Sequence, residues 1–201
     1  MYTVRIGDKE ISLETAEGIF SPSRADEGTL CMISEAREAL ALGGKAPEKI
    51  LDLGCGTGIV GIYFASLYRD AEVIFTDVDE KCVMLALKNA GANSIPGQNI
   101  KAIVSDAFTN IDEEDFDLIL SNPPYHTDFS VAKAFIEGSF KRLRIGGNLF
   151  MVTKRLDWYK NKLISVFGGV RIARKENGYF VFSAEKRSAK PSNIKPLKKR
   201  K

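Results

Sequence analysis

The sequence predicts an α/β fold in which helices cover both faces of a mostly parallel sheet. Strand-like and helix-like segments alternate along the 201 residues, and a glycine-rich stretch joins a buried strand to a helix. This alternation is typical of parallel sheets, because each crossover between parallel strands needs a connecting element, usually a helix. Polar residues also follow several of the predicted strands, at the sheet edge where ligands bind in such folds.

The N-terminal part is predicted to form a hairpin followed by a helix. Residues 2–6 and 10–14 alternate in polarity around Gly7-Asp8. Residues 20–29 have an irregular pattern, and they are interpreted either as a cover over a ligand or as a plain connector. Asp26 is the predicted N-cap of a helix that runs to Leu42 and ends at Gly43-Gly44.

The remaining elements follow from apolar periodicity, in the order strand, helix, strand, helix. Asp79 is a predicted N-cap, because Val83, Ala86, Leu87 and Ala90 recur after it at helical spacing. Strands are predicted at residues 50–53, 72–77, 100–104, 116–120, 148–153, 170–174 and 179–184. The helix after the glycine loop is predicted to end near residue 68, and two further helices are predicted at residues 130–143 and 156–167. Turns are predicted at 144–147 and 176–178, so that the last two strands form an antiparallel hairpin.

Residues 50–61 are interpreted as a ligand-binding loop. Gly54, Gly56 and Gly58 stand at alternate positions between a buried strand and an apolar helix. Glycine accepts backbone angles that a Cβ forbids, and it lets a ligand lie against the main chain at the positive end of a helix. A tight connection that binds nothing is the alternative, but it would need only one glycine.

Asp77, Asp106 and the motif Asn122-Pro123-Pro124-Tyr125 all come at the predicted carboxyl ends of strands. The carboxyl ends of parallel strands meet at one edge of the sheet. Together with the glycine loop, these residues therefore predict one site at that edge.

The glycine loop also matches a dinucleotide-binding fingerprint, Gly56-x-Gly58-x-x-Gly61, and Asp77 lies 21 residues after Gly56. A nicotinamide oxidoreductase is therefore an alternative from a different class. That fingerprint leaves Asp52 and residues 122–125 unexplained, and 201 residues leave little chain for a substrate domain.

Residues 122–125 favour chemistry on an amino group. The prolines have no amide donor, so the Asn122 side-chain oxygen and the Pro123 carbonyl leave an environment dominated by acceptors. Two acceptors that hold both hydrogens of a conjugated amine favour a pyramidal nitrogen, whose lone pair can face a methyl group. Tyr125 offers a flat surface on which a base can stack, a contact worth roughly 1–3 kcal/mol.

The pattern Asp52-x-Gly54-x-Gly56-x-Gly58, with acids after the next two strands, resembles the class I S-adenosylmethionine-dependent methyltransferases. The resemblance implies a Rossmann-like fold with a seven-stranded sheet and S-adenosyl-L-methionine as cofactor. It implies that the first-strand acid and the glycines contact the amino-acid part of the cofactor, Asp77 the ribose and Asp106 the adenine. The implied cofactor-binding residues are Asp52, Gly54, Gly56, Gly58, Asp77, Asp106 and Asn122; the implied catalytic residues are Asn122, Pro123 and Tyr125.

Within that class, the chain is similar to small-domain enzymes typified by the bacterial 16S rRNA guanine-N2 methyltransferases. The matching residues are Phe20-Ser21, Asp26-Glu-Gly-Thr29, Asn122-Pro-Pro-Tyr125-His126, Phe167-Gly168 and Gly178-Tyr179-Phe-Val181. The resemblance implies methylation of guanine N2 in 16S rRNA. Adenine-N6 methylation of RNA, N5-methylation of protein glutamine and cofactor binding without catalysis stay open. No metal is needed, and the role of His126, the single histidine, stays open.

The charge distribution sets residues 186–201 apart from residues 1–185. This tail holds eight of the 29 Lys and Arg residues and no acid, which leaves 21 basic and 26 acidic residues before it. We expect a methyltransferase domain at 1–185, in which residues 1–45 carry the hairpin, the covering segment and a helix. The tail is expected to be disordered, as an RNA-binding segment or merely a solubilising one.

The sequence also predicts where the protein works. It shows no apolar run long enough for a membrane span and no apolar core of a signal peptide, so a cytoplasmic protein is expected. The odd number of cysteines, Cys31, Cys55 and Cys82, argues against a disulfide framework and a zinc site. The choice between monomer and homodimer stays open.

Overall fold

The computed structural model describes residues 1–16, 25–124 and 129–193. In chain order, its helices and strands are β1 (Tyr2–Ile6), β2 (Lys9–Leu13), α1 (Glu27–Gly43), β3 (Lys49–Leu53), α2 (Ile59–Leu67), β4 (Glu72–Asp77), α3 (Glu80–Ala92), β5 (Ile100–Val104), β6 (Phe116–Ser121), α4 (Phe129–Arg142), β7 (Leu143–Thr153), α5 (Leu156–Phe167), β8 (Arg171–Glu176) and β9 (Tyr179–Glu185).

The central sheet has seven strands in the order β5-β4-β3-β6-β7-β9-β8. The first five are parallel to their neighbours, whereas β9 runs antiparallel to both β7 and β8. The strand order reverses between β3 and β6, which are parallel. Strands β4 and β5 extend the sheet on one side of β3, and all later strands extend it on the other side. The predicted α/β fold, with its C-terminal antiparallel hairpin, is confirmed.

The two faces of the sheet bury separate apolar cores. Strand β3 shows why, since Ile50 packs with residues of α1, α2 and α3, while Leu51 and Leu53 pack with residues of α4 and α5. Alternate residues of a strand point to opposite faces, so a strand covered on both sides needs a continuous apolar run. Asp52, which is 2% exposed, is the single buried polar residue of β3.

The predicted N-terminal hairpin is confirmed, as a two-stranded sheet separate from the central one. Two asparagines attach it to the rest of the domain. The Asn93 amide exchanges two hydrogen bonds with the backbone of Ser12, at 3.0 and 2.8 Å. The fully buried Asn89 side chain bonds the backbone of Glu14 and also donates to the carbonyl of Thr57, at 2.9 Å. Asn89 therefore couples the hairpin to the glycine loop.

The predicted turn at residues 144–147 is wrong, because these residues belong to β7. The Gly146 N–H donates to the Lys186 carbonyl and the Lys186 N–H donates to the Gly147 carbonyl, at 2.8 and 2.9 Å. The ladder with β6 shifts register there, and a Cβ on Gly147 would lie 2.6 Å from the Phe116 carbonyl oxygen. The glycines thus allow neighbouring strands to approach closely. The residues they contact, Phe116 and Lys186, are distant in sequence, so the local pattern does not indicate this role.

Contacts with the domain continue beyond the predicted boundary after Glu185. The Ser192 N–H donates to the carbonyl of Val166 at 3.1 Å, and the Lys186 ammonium group donates to the carbonyl of Leu143 at 2.5 Å. The basic residues of the tail from Lys195 onward lie outside the described residues. None of the helices in the described part of the chain has the length and apolar character needed to cross a membrane.

Candidate active site

A cavity of about 470 Å³ opens at the carboxyl ends of β3, β4, β5 and β6. The cavity lies at the point where the strand order reverses, between β3 and β6. Open α/β sheets bind ligands at this point. The predicted site residues that line it are Asp52, Gly54, Gly56, Asp77, Asp106, Asn122 and Pro123. Gly58 does not line it, and Tyr125 and His126 lie outside the described residues, as does the Phe20 end of the predicted covering segment.

The glycine loop has the left-handed backbone that the sequence pattern predicts. Gly54, Gly56 and Gly58 have φ angles of 75°, 53° and 82°. The N–H groups of Gly54 and Cys55 both donate to the carbonyl of Thr76 at 2.8 Å, which fixes the loop to the end of β4. Only glycine adopts such angles without a steric penalty, so three of them allow the chain to turn sharply into α2.

The glycines of the loop differ in what surrounds them. A Cβ on Gly56 would meet nothing within 4 Å, and Gly56 lines the cavity. A Cβ on Gly58 would lie 2.8 Å from the Cβ of Ala86, and one on Gly61 would lie 2.3 Å from the ring of Phe75. Gly56 thus leaves space for a ligand, whereas Gly58 and Gly61 allow helix packing.

This difference predicts separable effects for two alanine substitutions. Gly58→Ala combines the left-handed backbone cost of roughly 1–2 kcal/mol with a clash against Ala86, so we expect a loss of about 2–5 kcal/mol in the free energy of unfolding. Gly56→Ala carries only the backbone cost, so it should fold but bind S-adenosylhomocysteine at least about tenfold more weakly. Urea unfolding and calorimetry measure the two quantities; equal losses of stability would contradict the assignment.

Asp52 is the buried acid beneath the loop. Its Oδ2 accepts the N–H of Gly61 at 2.9 Å, in the first turn of α2. Burial raises the pKa of Asp52 to about 8; the hydrogen bond from Gly61 lowers it and the neighbouring charge of Asp77 raises it further. Among the residues that the structure describes, none supplies a positive charge that lowers the pKa of this carboxyl.

Asp77 organises the loop from the end of β4. Its Oδ2 accepts the N–H of Gly56 at 3.0 Å, and its Oδ1 accepts the N–H of Asp79 at 3.1 Å. Asp79 is the N-cap of α3, as predicted, and accepts the N–H of Lys81 at 2.9 Å. Asp106 stands exposed beyond the end of β5. The second-strand and third-strand acids thus face one cavity from adjacent strands.

The charge of the cavity lining distinguishes between the candidate cofactors. Five aspartates line it, Asp26, Asp52, Asp77, Asp79 and Asp106, while the described lining contains no Lys, Arg or His. A pyrophosphate would meet like charge there without a compensating cation. The sulfonium and ammonium groups of S-adenosylmethionine are cations, so the residues present fit that cofactor and oppose the nicotinamide alternative.

Asn122 follows β6 directly and lies at the cavity with Pro123, which is buried. The hydroxyl of Ser121 donates to the carbonyl of Leu53 at 2.8 Å and ties the end of β6 to β3. The Asn122 Nδ2 donates to Asp26 Oδ1 at 2.9 Å and to Thr29 Oγ1 at 2.8 Å. The motif that predicts the chemistry is therefore anchored to the start of α1.

Several residues at the site were not predicted as site residues. Tyr2 of the hairpin and Thr29 of α1 line the cavity, and so does Asp26, which was predicted only as a helix cap. Tyr179 of β9 reaches the Asp26 carboxylate with its hydroxyl. The sequence segments that resemble the guanine-N2 methyltransferases include Asp26, Thr29 and Tyr179. This resemblance was the one sequence indication that these residues belong to the site, and it implied no role for them.

No cluster of three or more His, Cys, Asp or Glu side chains suited to a metal ion occurs among residues 1–16, 25–124 and 129–193. The three cysteines are unpaired thiols. Burial raises the pKa of Cys55, which lies in the loop, well above its usual range.

Comparisons with known proteins agree with this site. The family model described as "Methyltransferase small domain" matches residues 10–183. YbxB of Bacillus subtilis is 32% identical over 189 residues, which cover 92% of this chain and 90% of that protein. Ribosomal RNA small subunit methyltransferase C of Actinobacillus pleuropneumoniae serotype 7 is 30% identical over 181 residues, which cover 88% of this chain and 53% of that protein.

A solved structure adds the ligands of a relative. The T. thermophilus 16S rRNA N2 G1207 methyltransferase, in complex with AdoMet and guanosine, superposes with a TM-score of 0.84 at 30% identity. The match covers 92% of this chain and 50% of that one, so this chain spans about half the length of the rRNA methyltransferases it matches. The chain belongs to the methyltransferase small domain family and is an S-adenosylmethionine-dependent methyltransferase.

Proposed function

We propose that this protein methylates the exocyclic N2 of guanine in 16S rRNA. The observation that carries the proposal is that Asn122 and Pro123 line the same cavity as the acidic loop region formed by Asp52, Gly56 and Asp77. The names of two relatives at 30% identity, one a 16S rRNA guanine-N2 enzyme with guanosine bound, support guanine as the target.

The proposed chemistry is a direct transfer to nitrogen, for which S-adenosylmethionine supplies the methyl group on a sulfonium. The Asn122 side-chain oxygen and the Pro123 carbonyl accept the two N–H bonds of the amine. This arrangement withdraws the nitrogen lone pair from the ring and points it away from the acceptors. As the new N–C bond forms, the bond between the methyl carbon and the sulfonium sulfur would break, S-adenosylhomocysteine would leave, and one amine proton would pass to solvent. The protein's contribution is then positioning and electrostatics.

The proposed cofactor contacts follow the lining of the cavity. Asp52, Gly54 and Gly56 would hold the amino-acid part, since a buried acid and an open backbone suit an ammonium group. Asp77 would accept both hydroxyls of the ribose diol, and Asp106 would accept the adenine amino group. Asn122 borders both the cofactor and the amine, while Tyr125 is proposed to stack on the base.

RNA is the proposed partner, with the basic tail at residues 186–201 as a candidate contact and the cytoplasm as the expected compartment. Counterion release favours binding of such a segment to a phosphate backbone. A target amine inside paired RNA would have to be flipped out or presented in an open ribosomal intermediate.

The test is to incubate the protein with isotopically labelled S-adenosylmethionine and unmodified 16S rRNA or small subunits, then to identify the product nucleoside by mass spectrometry. We expect N2-methylguanosine. N6-methyladenosine would favour the adenine alternative, and N5-methylglutamine in a ribosomal protein would favour the protein alternative. Labelled product in none of these substrates would reject the proposed function.

A further inference from the structure

A polar cluster beside the cavity is explained neither by cofactor binding nor by helix capping alone. We call it the Asp26 cluster, and it consists of Asp26, Gly28, Thr29, Asn122 and Tyr179. These residues come from the start of α1, the end of β6 and the start of β9, so 153 positions of the chain separate its most distant hydrogen-bonded partners. The segments around Asp26 and Tyr179 resemble those of the guanine-N2 methyltransferases, but that resemblance implies no role for either residue.

The Asp26 carboxylate uses both of its oxygens. Oδ1 accepts the N–H of Thr29 at 3.0 Å, which is the helix cap, and also the Nδ2 of Asn122 at 2.9 Å. Oδ2 accepts the hydroxyl of Tyr179 at 2.9 Å. Capping requires only the first of these bonds. The other two connect the cap to the catalytic motif and to the last strand.

These bonds determine which way the Asn122 amide faces. A carboxylate can only accept hydrogen bonds, so the Asn122 atom beside Asp26 Oδ1 has to be the amide nitrogen. The Thr29 hydroxyl accepts the second hydrogen of Nδ2 at 2.8 Å, and it lies 3.4 Å from Asp26 Oδ1, to which it donates its own hydrogen. Both amide hydrogens are thereby directed at α1, and the carbonyl half of Asn122 is turned away from it.

Gly28 lets Tyr179 reach the carboxylate. A Cβ on Gly28 would lie 2.5 Å from the Tyr179 ring, so the ring packs directly on the helix backbone. The Tyr179 side chain is buried, with the Lys154 ammonium group 4.5 Å from its ring centre. A phenol held on both sides in this way restrains the Asp26 carboxylate through Oδ2, whereas Asn122 contacts Oδ1.

We propose that Asp26 is a positioning residue which, with Thr29 and Tyr179, holds the Asn122 amide so that its oxygen faces the substrate. The cluster then selects an amino group over a carbonyl group, because a flipped amide would present NH₂ to the target nitrogen. The inference rests on the proposed function for its substrate, but the amide orientation itself does not depend on the RNA.

The test compares Asp26→Ser with Asp26→Asn. Serine still caps the helix but is too short to reach Asn122, so kcat should fall roughly 10²-fold while affinity for S-adenosylhomocysteine changes less than about twofold. Asparagine also caps and can accept from Asn122 while donating to Tyr179, so it should restore kcat to within a few-fold of wild type. Equal losses in both variants, or normal kcat in Asp26→Ser, would overturn the proposal.

Two milder variants cover the case in which Asp26→Ser does not fold. Thr29→Val and Tyr179→Phe each remove one hydroxyl without changing side-chain size, and each should lower kcat by about tenfold with cofactor affinity retained. Tyr63→Phe, at a fully buried tyrosine of α2, is the matched control and should leave kcat unchanged. Wild-type kcat in both hydroxyl variants would contradict the proposal.

A spectroscopic readout separates this inference from the proposed function. The Asn122 side-chain NH₂ signals, assigned by their loss in Asn122→Ala, should shift and exchange faster with solvent in Asp26→Ser and Thr29→Val, and remain in place in Asp26→Asn. Unshifted signals would reject the cluster's role even in an active enzyme. The expected shifts in a wild-type protein that methylates no RNA guanine would support the role and reject the substrate.

Discussion

Replacing Asn122 with alanine is expected to lower kcat by roughly 10²–10³-fold, because the substitution removes the acceptor that we propose holds the reacting amine. The fold should persist, since Asn122 lies at the rim of the cavity beyond the last residue of β6. Asn122→Asp should be no better, because its carboxylate would face the carboxylate of Asp26, now 2.9 Å from the amide nitrogen.

Single-turnover methylation of RNA measures the chemical step, and calorimetry with S-adenosylhomocysteine measures whether the cofactor still binds. Asn99→Ala is a suitable control, because this half-buried asparagine donates to the carbonyl of Arg69, and neither residue lines the cavity. Near-normal turnover in Asn122→Ala, with cofactor binding unchanged, would show that Asn122 does not have the catalytic role proposed for it.

Asp52 is expected to make the cofactor-free protein less stable as the pH rises. The pKa of its buried carboxyl is about 8 in the folded protein, against an ordinary value of 3.8. Between these values the folded protein holds a proton that the unfolded chain has lost, so the free energy of unfolding falls with increasing pH and levels off above about 8. The slope from this group is at most roughly 1.4 kcal/mol per pH unit.

Asp52→Asn should remove that slope while keeping an acceptor for the Gly61 N–H. The variant is therefore expected to gain a few kcal/mol over wild type between pH 5 and pH 8, which corresponds to a rise of roughly 2–4 °C in Tm per kcal/mol at this chain length. Unfolding followed at several pH values, on both proteins in parallel, cancels the titration of all other groups. A constant difference across this range would show that Asp52 ionises normally.

The cofactor should reverse this behaviour, because the ammonium group that we propose lies beside Asp52 would favour the charged carboxylate. Binding of S-adenosylmethionine near pH 7 is then expected to release up to one proton in wild type and none in Asp52→Asn, together with a loss of affinity in the variant. Calorimetry in buffers of different ionisation enthalpy counts the protons. Equal proton release in both proteins would place the cation elsewhere.

The sequence by itself was sufficient for the features that depend on local pattern. Apolar periodicity predicted the alternating strands and helices, and short-range chemistry predicted the caps at Asp26 and Asp79 and the Asn177-Gly178 turn, where both residues have positive φ. Because parallel strands place their carboxyl ends on one edge, order along the chain also predicted that Asp52, Asp77, Asp106 and Asn122 would meet.

The tertiary structure alone decided what each of these residues contacts. No local rule indicates that β9 inserts beside β7, yet this brings Tyr179 to Asp26 and thereby to Asn122. Likewise, Gly56 and Gly58 look equivalent in sequence, but one borders the cavity and the other packs on Ala86. The physical reason is that hydrogen bonds and steric contacts between distant segments depend on strand order and register, which periodicity within a segment does not specify.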